Sequence, residues 1–338
     1  MRKTLTRWFW RTFPGTLCSP NTWRFTGLSK VVVTGGAGFI GSYVVRKFLE
    51  EGWSVTVVDD FSTGERENLP LHPNLEIKLH DITVREGLDE LLKHADAVIH
   101  LAAISSVPAC EQNIARSFEV NVKGVENIAK ASLRSGVGLI VFSSSAAVYG
   151  ADGEHSESSP TRPMSVYGHT KLLGETILRC LSDEKNVKVA VLRIFNVYGR
   201  LRAGKGFLGV VDQFIEDAAA DRPLKIYGDG RQVRDFIHVD DVADAVFSAV
   251  EKTSAGCEVY NIGSGSGLTV AEVAQHVLES FHRNASNIVY HPARVGDIRY
   301  SVANISKAVE KLGFNPKRSL KTYIEDRARG AVSNGLIG

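Results

Sequence analysis

The chain has 338 residues, of which 43% are hydrophobic and 23% charged, enough apolar material for a sizeable core in one large domain or two coupled ones. Its net charge of only +2 does not favour nucleic-acid binding. The sequence contains no run of eighteen apolar residues, so no membrane span is predicted. The cysteines show neither metal-ligand nor disulfide-framework spacing, which favours a reducing cytoplasm and no metal site; they are Cys18, Cys110, Cys180 and Cys257.

The first 29 residues form a basic leader. They carry five basic residues and no acidic one, so their charge exceeds the net charge of the whole chain. The apolar run at 8–10 is too short for a secretory signal. The leader is either a transit-like segment, or an arm that contacts a membrane surface or a partner, or sequence that is not natively translated. In the last case the mature protein begins near Leu28, and peptides from residues 2–23 in the native protein would refute that hypothesis.

From Lys30 onward, short apolar runs alternate with helical patterns. Glycine-rich and irregular segments replace this alternation after residue 195. Strands that alternate with helices predict βαβ units and a parallel sheet with helices on both faces. The predicted strands are 30–34, 54–58, 75–79, 97–101, 139–143 and 187–194, and the predicted helices are 42–51, 113–135, 165–182 and 240–251.

A glycine turn joins the first strand to the first helix. Gly35 allows a tight turn, Gly38 allows the backbone to approach a pyrophosphate, and Gly41 allows the helix to pack closely on the strand. Asp59 ends the second strand, where its carboxylate can accept a hydrogen bond from a ribose 2′-hydroxyl and would repel a 2′-phosphate. The order of strand, turn, helix and acid therefore predicts a doubly wound Rossmann sheet that binds NAD rather than NADP.

The third strand and the irregular segments complete the domain prediction. Asp81 and Ile82 follow the third strand and could contact the adenine, although an aspartate that caps a helix is an equally good interpretation. We expect a NAD-binding domain over residues 30–195, with segments near 236–262 that return to its sheet. A smaller, irregular substrate-binding lobe is expected over residues 196–330.

A tyrosine and a lysine four residues apart are the candidate catalytic pair. Tyr167 and Lys171 lie on one face of a predicted helix, where an ammonium group and the positive nicotinamide would lower the pKa of the phenol. Tyr43 and Lys47 have the same spacing behind the glycine turn, where we interpret them as surface and packing residues. Ser145 favours the first pair because it follows the fifth strand, at the sheet edge where ligands bind. A solvated turn is the alternative interpretation of this serine run.

These features, with several further motifs, resemble the NAD-dependent sugar-nucleotide epimerase/dehydratase family of extended short-chain dehydrogenase/reductases. The resemblance covers residues 30 to about 325 and is greatest to members that epimerise UDP-glucose at C4. It implies a bound NAD, a UDP-sugar substrate, and a homodimer formed through helices 113–135 and 165–182. The further motifs lie at 100–103, 121–122, 143–150, 193–199, 231–241, 260–263 and 294–297.

The resemblance also implies roles for individual residues. Ser145 and Tyr167 would act on the sugar 4-hydroxyl, with Lys171 as the third catalytic residue. The NAD would be bound by Gly35, Gly38, Phe39, Ile40, Gly41, Asp59, Asp60, Asp81, Ile82, Leu101, Ala102, Ala103, Asn121, Ser143, Tyr167, Lys171 and Phe195. The sugar of the substrate would lie near Ser145 and Ser301, and its pyrophosphate would be bound by Asn196 and Arg234. Arg294 and Asp297 would bind the nucleotide phosphate and ribose, and the backbone near Lys225 and Tyr227 would contact the uracil.

Several alternatives stay open at this point. Surface ion pairing beside Asp235 is the alternative interpretation of Arg234. Family dehydratases use an acid pair just after the catalytic hydroxyl residue, and decarboxylases a glutamate two places after it, but Ala146 and Ala147 stand there. The small Ser301 would admit a 2-acetamido group, so UDP-GlcNAc is an expected second substrate. A UDP-glucuronate 4-epimerase and a non-catalytic NAD-binding sensor remain as alternative functions.

Overall fold

The computed structural model describes residues 29–185, 187–201, 203, 209–284, 287–293 and 297–333. The predicted leader, apart from Ser29, and Arg294 lie outside the described residues. The strands are β1 (Lys30–Thr34), β2 (Ser54–Asp59), β3 (Leu75–Leu79), β4 (Ala97–His100), β5 (Leu139–Ser145), β6 (Gly153–His155), β7 (Lys188–Ile194), β8 (Asn196–Tyr198), β9 (Leu224–Tyr227), β10 (Val233–His238), β11 (Cys257–Ile262), β12 (Gly267–Thr269), β13 (Ile288–His291) and β14 (Tyr300–Ala303).

Helices connect these strands. Short 3₁₀ segments lie at Arg66–Asn68 and Ala146–Val148, and a π-helical turn lies at Glu119–Lys123. The α-helices are α1 (Phe39–Glu50), α2 (Leu88–Leu92), α3 (Val107–Gln112), α4 (Ile114–Phe118), α5 (Gly124–Arg134), α6 (Val166–Lys185), α7 (Val210–Ala219), α8 (Val239–Lys252), α9 (Val270–Ser280), α10 (Ser306–Leu312) and α11 (Leu320–Ser333). Among the described residues, none of these helices combines the length and the hydrophobicity that a bilayer crossing requires.

A seven-stranded parallel sheet forms the centre of the molecule and confirms the predicted fold class. Its strand order is β11-β7-β5-β4-β1-β2-β3. The strands are buried on both faces, as the fully buried Val31, Val32 and Val33 of β1 show. Helices α1 and α8 pack on one face, and α5 and α6 pack on the other. The strand order reverses between β1 and β4, so the carboxyl ends of these strands border the crevice where such sheets bind ligands.

Several predicted boundaries near the crevice differ from the structure: α1 begins at Phe39 and not at 42, and two further differences bear on the candidate catalytic residues. The fifth strand continues two residues beyond the predicted 139–143, because Ser143, Ser144 and Ser145 still pair with β7. The predicted helix 113–135 is divided by the π-helical turn, which inserts an extra residue into the helical repeat. Both differences change where side chains point at the carboxyl edge of the sheet.

A second layer covers the carboxyl edge of the central sheet. It contains a sheet of order β12-β10-β14-β6, with β8 paired to β10, and a separate β9–β13 pair. Helices α7, α9 and α11 share a core with these strands. Strand β6 lies within the predicted NAD-binding segment 30–195 but pairs with β14 of this lobe, while β11 lies at the edge of the central sheet. The chain therefore crosses between the two layers several times.

Candidate active site

The glycine turn lies directly against the loop that follows β4. Gly35 has a φ of +70°, and a Cβ atom placed on it would lie 2.6 Å from the backbone nitrogen of Ala102. A Cβ atom on Gly41 would lie 2.1 Å from the carbonyl oxygen of Gly35, so α1 starts in contact with the turn. Neither position has room for a side chain, which is the close packing that the sequence predicted.

The amino end of α1 opens into the crevice. Gly38 is the N-cap residue and has no side chain to accept the first amides of the helix. The amides of Phe39 and Ile40 belong to the first turn, where N–H groups have no partner within the helix. Such amides, together with the positive end of the helix dipole, fit a pyrophosphate.

Two aspartates end β2 beside this turn. The oxygens of Asp59 accept hydrogen bonds from the amides of Ala37 and Phe61, each at 2.9 Å. Burial raises the pKa of Asp59, and these two amide hydrogen bonds oppose the rise. Each carboxylate oxygen has a second lone pair, so Asp59 can still accept a ribose hydroxyl. Asp60 is exposed and accepts hydrogen bonds from the amide and hydroxyl of Ser62.

The residues directly after β3 stabilise a local turn. Asp81 Oδ1 accepts a hydrogen bond from the Thr83 amide at 2.8 Å, and its Oδ2 lies 3.2 Å from Nη2 of Arg116. Ile82 is buried, and a Cβ atom on Gly124 of α5 would lie 2.5 Å from its Cδ1 atom. Asp81 therefore caps a turn and not a helix, so the helix-cap interpretation is wrong, while the adenine contact stays a prediction.

Asn121 holds the loop after β4 in place. Its Oδ1 accepts a hydrogen bond from the Ile104 amide at 2.8 Å, and its Nδ2 donates to the Ile104 carbonyl oxygen at 2.9 Å and to Thr170 Oγ1 at 3.1 Å. The π-helical turn carries this side chain. Its amide is thus committed to the protein, next to the half-buried residues Leu101, Ala102 and Ala103.

The three candidate catalytic residues meet at the carboxyl end of β5. Lys171 Nζ donates a hydrogen bond to the carbonyl oxygen of Ser143 at 2.8 Å and lies 5.7 Å from the centre of the Tyr167 ring. The hydroxyl of Ser145 lies close enough to the Tyr167 phenol to act on its pKa, and its Oγ accepts a hydrogen bond from the amide of Ala147 at 3.2 Å. The site therefore presents a hydroxyl, a phenol and an ammonium group together.

Burial controls the protonation of this site. It raises the pKa of Tyr167 to about 12, and the nearby hydroxyl of Ser145 acts in the opposite direction. Burial also lowers the pKa of Lys171 to about 8. We expected lysine and nicotinamide together to make the phenol acidic. The net effect of the chain's own groups is to raise the pKa of the phenol, so a net lowering must come from the bound cofactor.

Polar residues of the second layer face the crevice. Asn196 Nδ2 donates to the backbone oxygen of Asp235 at 3.0 Å, beside the buried Phe195. Arg234 Nη2 lies 2.5 Å from Oδ1 of Asp297. The ion pairing that was the alternative interpretation of Arg234 is thus present, but its partner is Asp297, because the Asp235 carboxylate is buried against Ser264 and Gly265.

An open cleft of about 370 Å³ lies at the end of β9. Lys225 and Tyr227 are exposed on β9, and Ser301 is buried on β14 opposite Arg234. Asp297 belongs both to this cleft and to the ion pair with Arg234, so the cleft continues towards the crevice. The cleft is lined by Tyr227, Gly228, Asp229, Gln232, Ala293, Asp297 and Arg299.

The site geometry agrees with a family comparison. Residues 31–263 match the model of the NAD dependent epimerase/dehydratase family. The match contains the glycine turn, Asp59, Ser145, Tyr167 and Lys171. The chain belongs to this family. NAD is therefore its cofactor, and the glycine turn and the α1 amides are the groups that fit it.

Relatives within the family differ in the reaction named for them. UDP-glucose 4-epimerase 3 of Oryza sativa subsp. japonica is 33% identical, with 90% of each chain covered. UDP-glucuronic acid decarboxylase 2 of Arabidopsis thaliana is 34% identical over 86% of this chain and 66% of its own. The family is thus established, but the relatives do not decide the reaction.

Solved structures of family members share the fold. The UDP-glucose 4-epimerase of Thermotoga maritima, crystallised with UDP-glucose, is 36% identical, has a TM-score of 0.84, and is matched over 91% of this chain and 99% of its own. A UDP-N-acetylglucosamine 4-epimerase of Methanobrevibacter ruminantium M1, in complex with UDP-N-acetylmuramic acid, is 32% identical with a TM-score of 0.83, over 91% and 99% of the two chains.

The second tyrosine–lysine pair lies outside this epimerase/dehydratase site. The Tyr43 hydroxyl donates to the carbonyl oxygen of Arg200 at 2.8 Å. Lys47 forms ion pairs with Glu51 and Asp244. The pair therefore serves surface and packing contacts, as its position behind the glycine turn predicted.

Sequence reasoning missed a buried polar cluster behind the candidate catalytic residues. Ser144, Glu175 and Arg193 form its centre, and Arg193 also donates to the hydroxyl of Tyr149, which in turn donates to Asn261. Four of these five residues lie inside the motifs that carry the resemblance, but without an assigned role. Glu175 comes four residues after Lys171 on α6, and this spacing is the sequence signal that could have identified it.

Proposed function

We propose that this protein catalyses the reversible 4-epimerisation of a UDP-hexose, interconverting UDP-glucose and UDP-galactose. The observation that carries the proposal is the grouping of Ser145, Tyr167 and Lys171 at the carboxyl end of β5, with two alanines directly after Ser145. Ser145 and Tyr167 can move a proton at the sugar 4-hydroxyl. Ala146 and Ala147 cannot transfer protons, so the acid that family dehydratases or decarboxylases use there is missing.

The chain's own residues supply proton transfer and orientation. Tyr167 takes the proton of the C4 hydroxyl as the carbonyl forms, and Ser145 stabilises the charge that develops on that oxygen. Lys171 holds the cofactor ribose and contributes a positive charge beside the phenol. Bound NAD supplies reversible hydride acceptance at C4. Tyr167 would return the proton to O4 once the hydride is back on the opposite face of C4, and this gives the epimer.

We assign the substrate nucleotide to the second layer, so that residues 30–195 mainly hold NAD and residues 196–330 mainly hold substrate. Arg234 can form planar, paired hydrogen bonds with phosphate oxygens, and Asp297 can accept a ribose hydroxyl. The cleft at the end of β9 has room for the uracil beside Tyr227. Ser301 is small, which supports UDP-GlcNAc and UDP-GalNAc as further substrates.

Two other reactions compete with this assignment. A UDP-glucuronate 4-epimerase would use the same Ser145, Tyr167 and Lys171 chemistry and differ only in the pocket for C6. UDP-glucuronate decarboxylation has a named relative in its favour, but the residue two places after Ser145 is alanine. A panel of substrates separates these reactions.

We infer that the enzyme works as a homodimer through α4, α5 and α6. Ile114 and Phe118 of α4 are 52% and 39% exposed, and Leu173 of α6 is 41% exposed. Large apolar side chains grouped on one face mark interaction surfaces. These are the helices that the family resemblance assigned to the dimer, and a second copy of the chain would cover them.

We place the protein in a reducing cytoplasm. Cys110, Cys180 and Cys257 are free thiols. Proteins of oxidising compartments tend to pair such residues.

The deciding experiment incubates the purified protein, without added NAD, with separate UDP-hexoses, and resolves the products by chromatography. We expect UDP-glucose and UDP-galactose to interconvert to one equilibrium ratio from either side. Conversion of UDP-glucuronate to a pentose product would assign the decarboxylase reaction instead, and conversion to its C4 epimer would assign the glucuronate epimerase. No conversion of any UDP-hexose would refute the proposed function.

A further inference from the structure

A carboxylate and a guanidinium group are paired in the interior directly behind the site. Glu175 Oε1 accepts hydrogen bonds from Ser144 Oγ at 2.5 Å and from Arg193 Nε at 3.0 Å, and its Oε2 accepts from Arg193 Nη2 at 2.8 Å. The side chains of Glu175 and Arg193 are 3% and 5% exposed, and Ser144 is 2% exposed. Every oxygen of this carboxylate therefore has a protein partner.

The three residues come from three different elements. Ser144 lies on β5 immediately before Ser145, Glu175 lies on α6 two turns after Tyr167, and Arg193 lies on β7. The cluster thus joins the strand end that carries the catalytic hydroxyl to the helix that carries the catalytic phenol. A shift of either element would have to break a buried, charge-assisted hydrogen bond.

Stability alone gives little reason to bury such a pair. Desolvation of two charges can cost as much as their attraction returns, so a buried ion pair often adds little net stability over apolar residues of similar volume. Its best-attested use is to specify one arrangement of the elements that it joins. The arrangement specified here is that of β5 against α6.

We propose, on the basis of the epimerase function proposed above, that Glu175 is a positioning residue for catalysis. By binding Ser144 and Arg193 it fixes the end of β5 against α6. It thereby holds the hydroxyl of Ser145 at the distance from the Tyr167 phenol that proton transfer requires.

The charge of Glu175 also acts on Lys171. The titratable groups that face Lys171 are Tyr167 and Glu175 of α6, Cys110 of α3 and His100 of β4. Burial lowers the pKa of Lys171 to about 8, and the Cys110 thiol and the Glu175 carboxylate oppose that lowering. Burial and the nearby ammonium lower the pKa of His100 to about 3, so this ring is neutral near pH 7. Without the Glu175 charge, Lys171 would lose its proton at a lower pH.

Two substitutions separate position from charge. Ser144→Ala removes one hydrogen bond and leaves the Glu175–Arg193 ion pair intact, whereas Glu175→Gln removes the charge. Ser182→Ala is the matched control, since Ser182 is buried on the same helix and its hydroxyl is without a hydrogen-bond partner among the described residues. We expect Ser144→Ala to lower kcat for UDP-galactose by about 10- to 100-fold, the cost of a displacement of about 1 Å, with KM and bound NAD unchanged.

The pH profile distinguishes the proposed role from general damage. We expect Glu175→Gln to lower kcat and to move the basic limb of the kcat profile to lower pH. Ser144→Ala should leave that limb in place, and Ser182→Ala should match the wild-type protein in both respects. Folded Ser144→Ala protein with wild-type kcat would overturn the proposal even if Glu175→Gln protein does not fold.

Crystals of the NAD complexes test the same idea without substrate. We expect the separation between Ser145 Oγ and Tyr167 Oη to be longer in Ser144→Ala than in the wild-type protein. An unchanged separation would overturn the role of Glu175. If the wild-type protein converts no UDP-hexose, the proposed function fails, while this comparison still decides whether Glu175 positions the pair.

Discussion

Replacing Tyr167 by phenylalanine removes one oxygen atom from the site and leaves the aromatic ring in place. The centre of the ring lies 5.7 Å from Lys171 Nζ, and the hydroxyl group lies near that of Ser145. The substitution therefore deletes the proton acceptor without opening a large cavity. We expect NAD to stay bound, because the glycine turn and Asp59 are untouched.

The size of the effect follows from the protonation of the phenol. Burial raises the pKa of Tyr167 to about 12. Against an ordinary value near 10, this corresponds to about 3 kcal/mol at 1.36 kcal/mol per tenfold change. At pH 8 only about one phenol in 10⁴ would be ionised in the chain alone, so catalysis depends on the positive nicotinamide. A positioned general base contributes about 10²- to 10⁴-fold, and we expect kcat to fall by that factor.

Kinetics and ultraviolet absorbance check this reasoning. The kcat of Tyr167→Phe is compared with that of Tyr43→Phe, which loses the same atom from a pair of identical spacing outside the site. Phenolate absorbance of the NAD⁺ and NADH complexes is then titrated with base. We expect one phenol to ionise at lower pH with NAD⁺ than with NADH, and this signal to be missing in Tyr167→Phe.

Two results would refute the reasoning. One is a Tyr167→Phe enzyme that binds NAD and keeps more than a tenth of the wild-type kcat. The other is a phenolate signal at the same pH in both redox states, which would mean that the cofactor charge does not act on Tyr167.

Wild-type activity should also fall as pH rises past the pKa of Lys171, because the ammonium form is the active one.

Three further predictions address the turn, the specificity and the assembly. Gly41→Ala places a Cβ atom 2.1 Å from the oxygen of Gly35, so we expect loss of bound NAD and a destabilisation of about 1–3 kcal/mol by thermal unfolding. Gly330→Ala is the control, because a Cβ atom there has no neighbour within 4 Å, and it should retain both the bound NAD and the thermal stability. Ser301→Tyr should abolish UDP-GlcNAc turnover and retain that of UDP-glucose; equal losses of both in a coupled assay would contradict the size argument. Phe118→Glu should yield a monomer by light scattering, and an unchanged mass would exclude α4 from the interface.

The sequence by itself determined the elements whose pattern is local. Strands β1 and β3 have the predicted bounds, since a short valine- or leucine-rich run between turn residues is characteristic of a parallel strand. The glycine turn was equally readable, because only glycine fits where a Cβ atom would touch backbone. The i, i+4 spacing of Tyr167 and Lys171 placed both on one face of a helix.

The tertiary structure alone decided which distant groups meet. Ser145 reaches Tyr167 because β5 continues along β7 for two residues more than its apolar run indicated. Arg234 pairs with Asp297, far along the chain, rather than with its neighbour Asp235. The pKa values of Tyr167 and Lys171 are set by burial, to which every packed element contributes. Local spacing fixes only the direction in which a side chain points, whereas desolvation and pairing depend on what the fold brings against it.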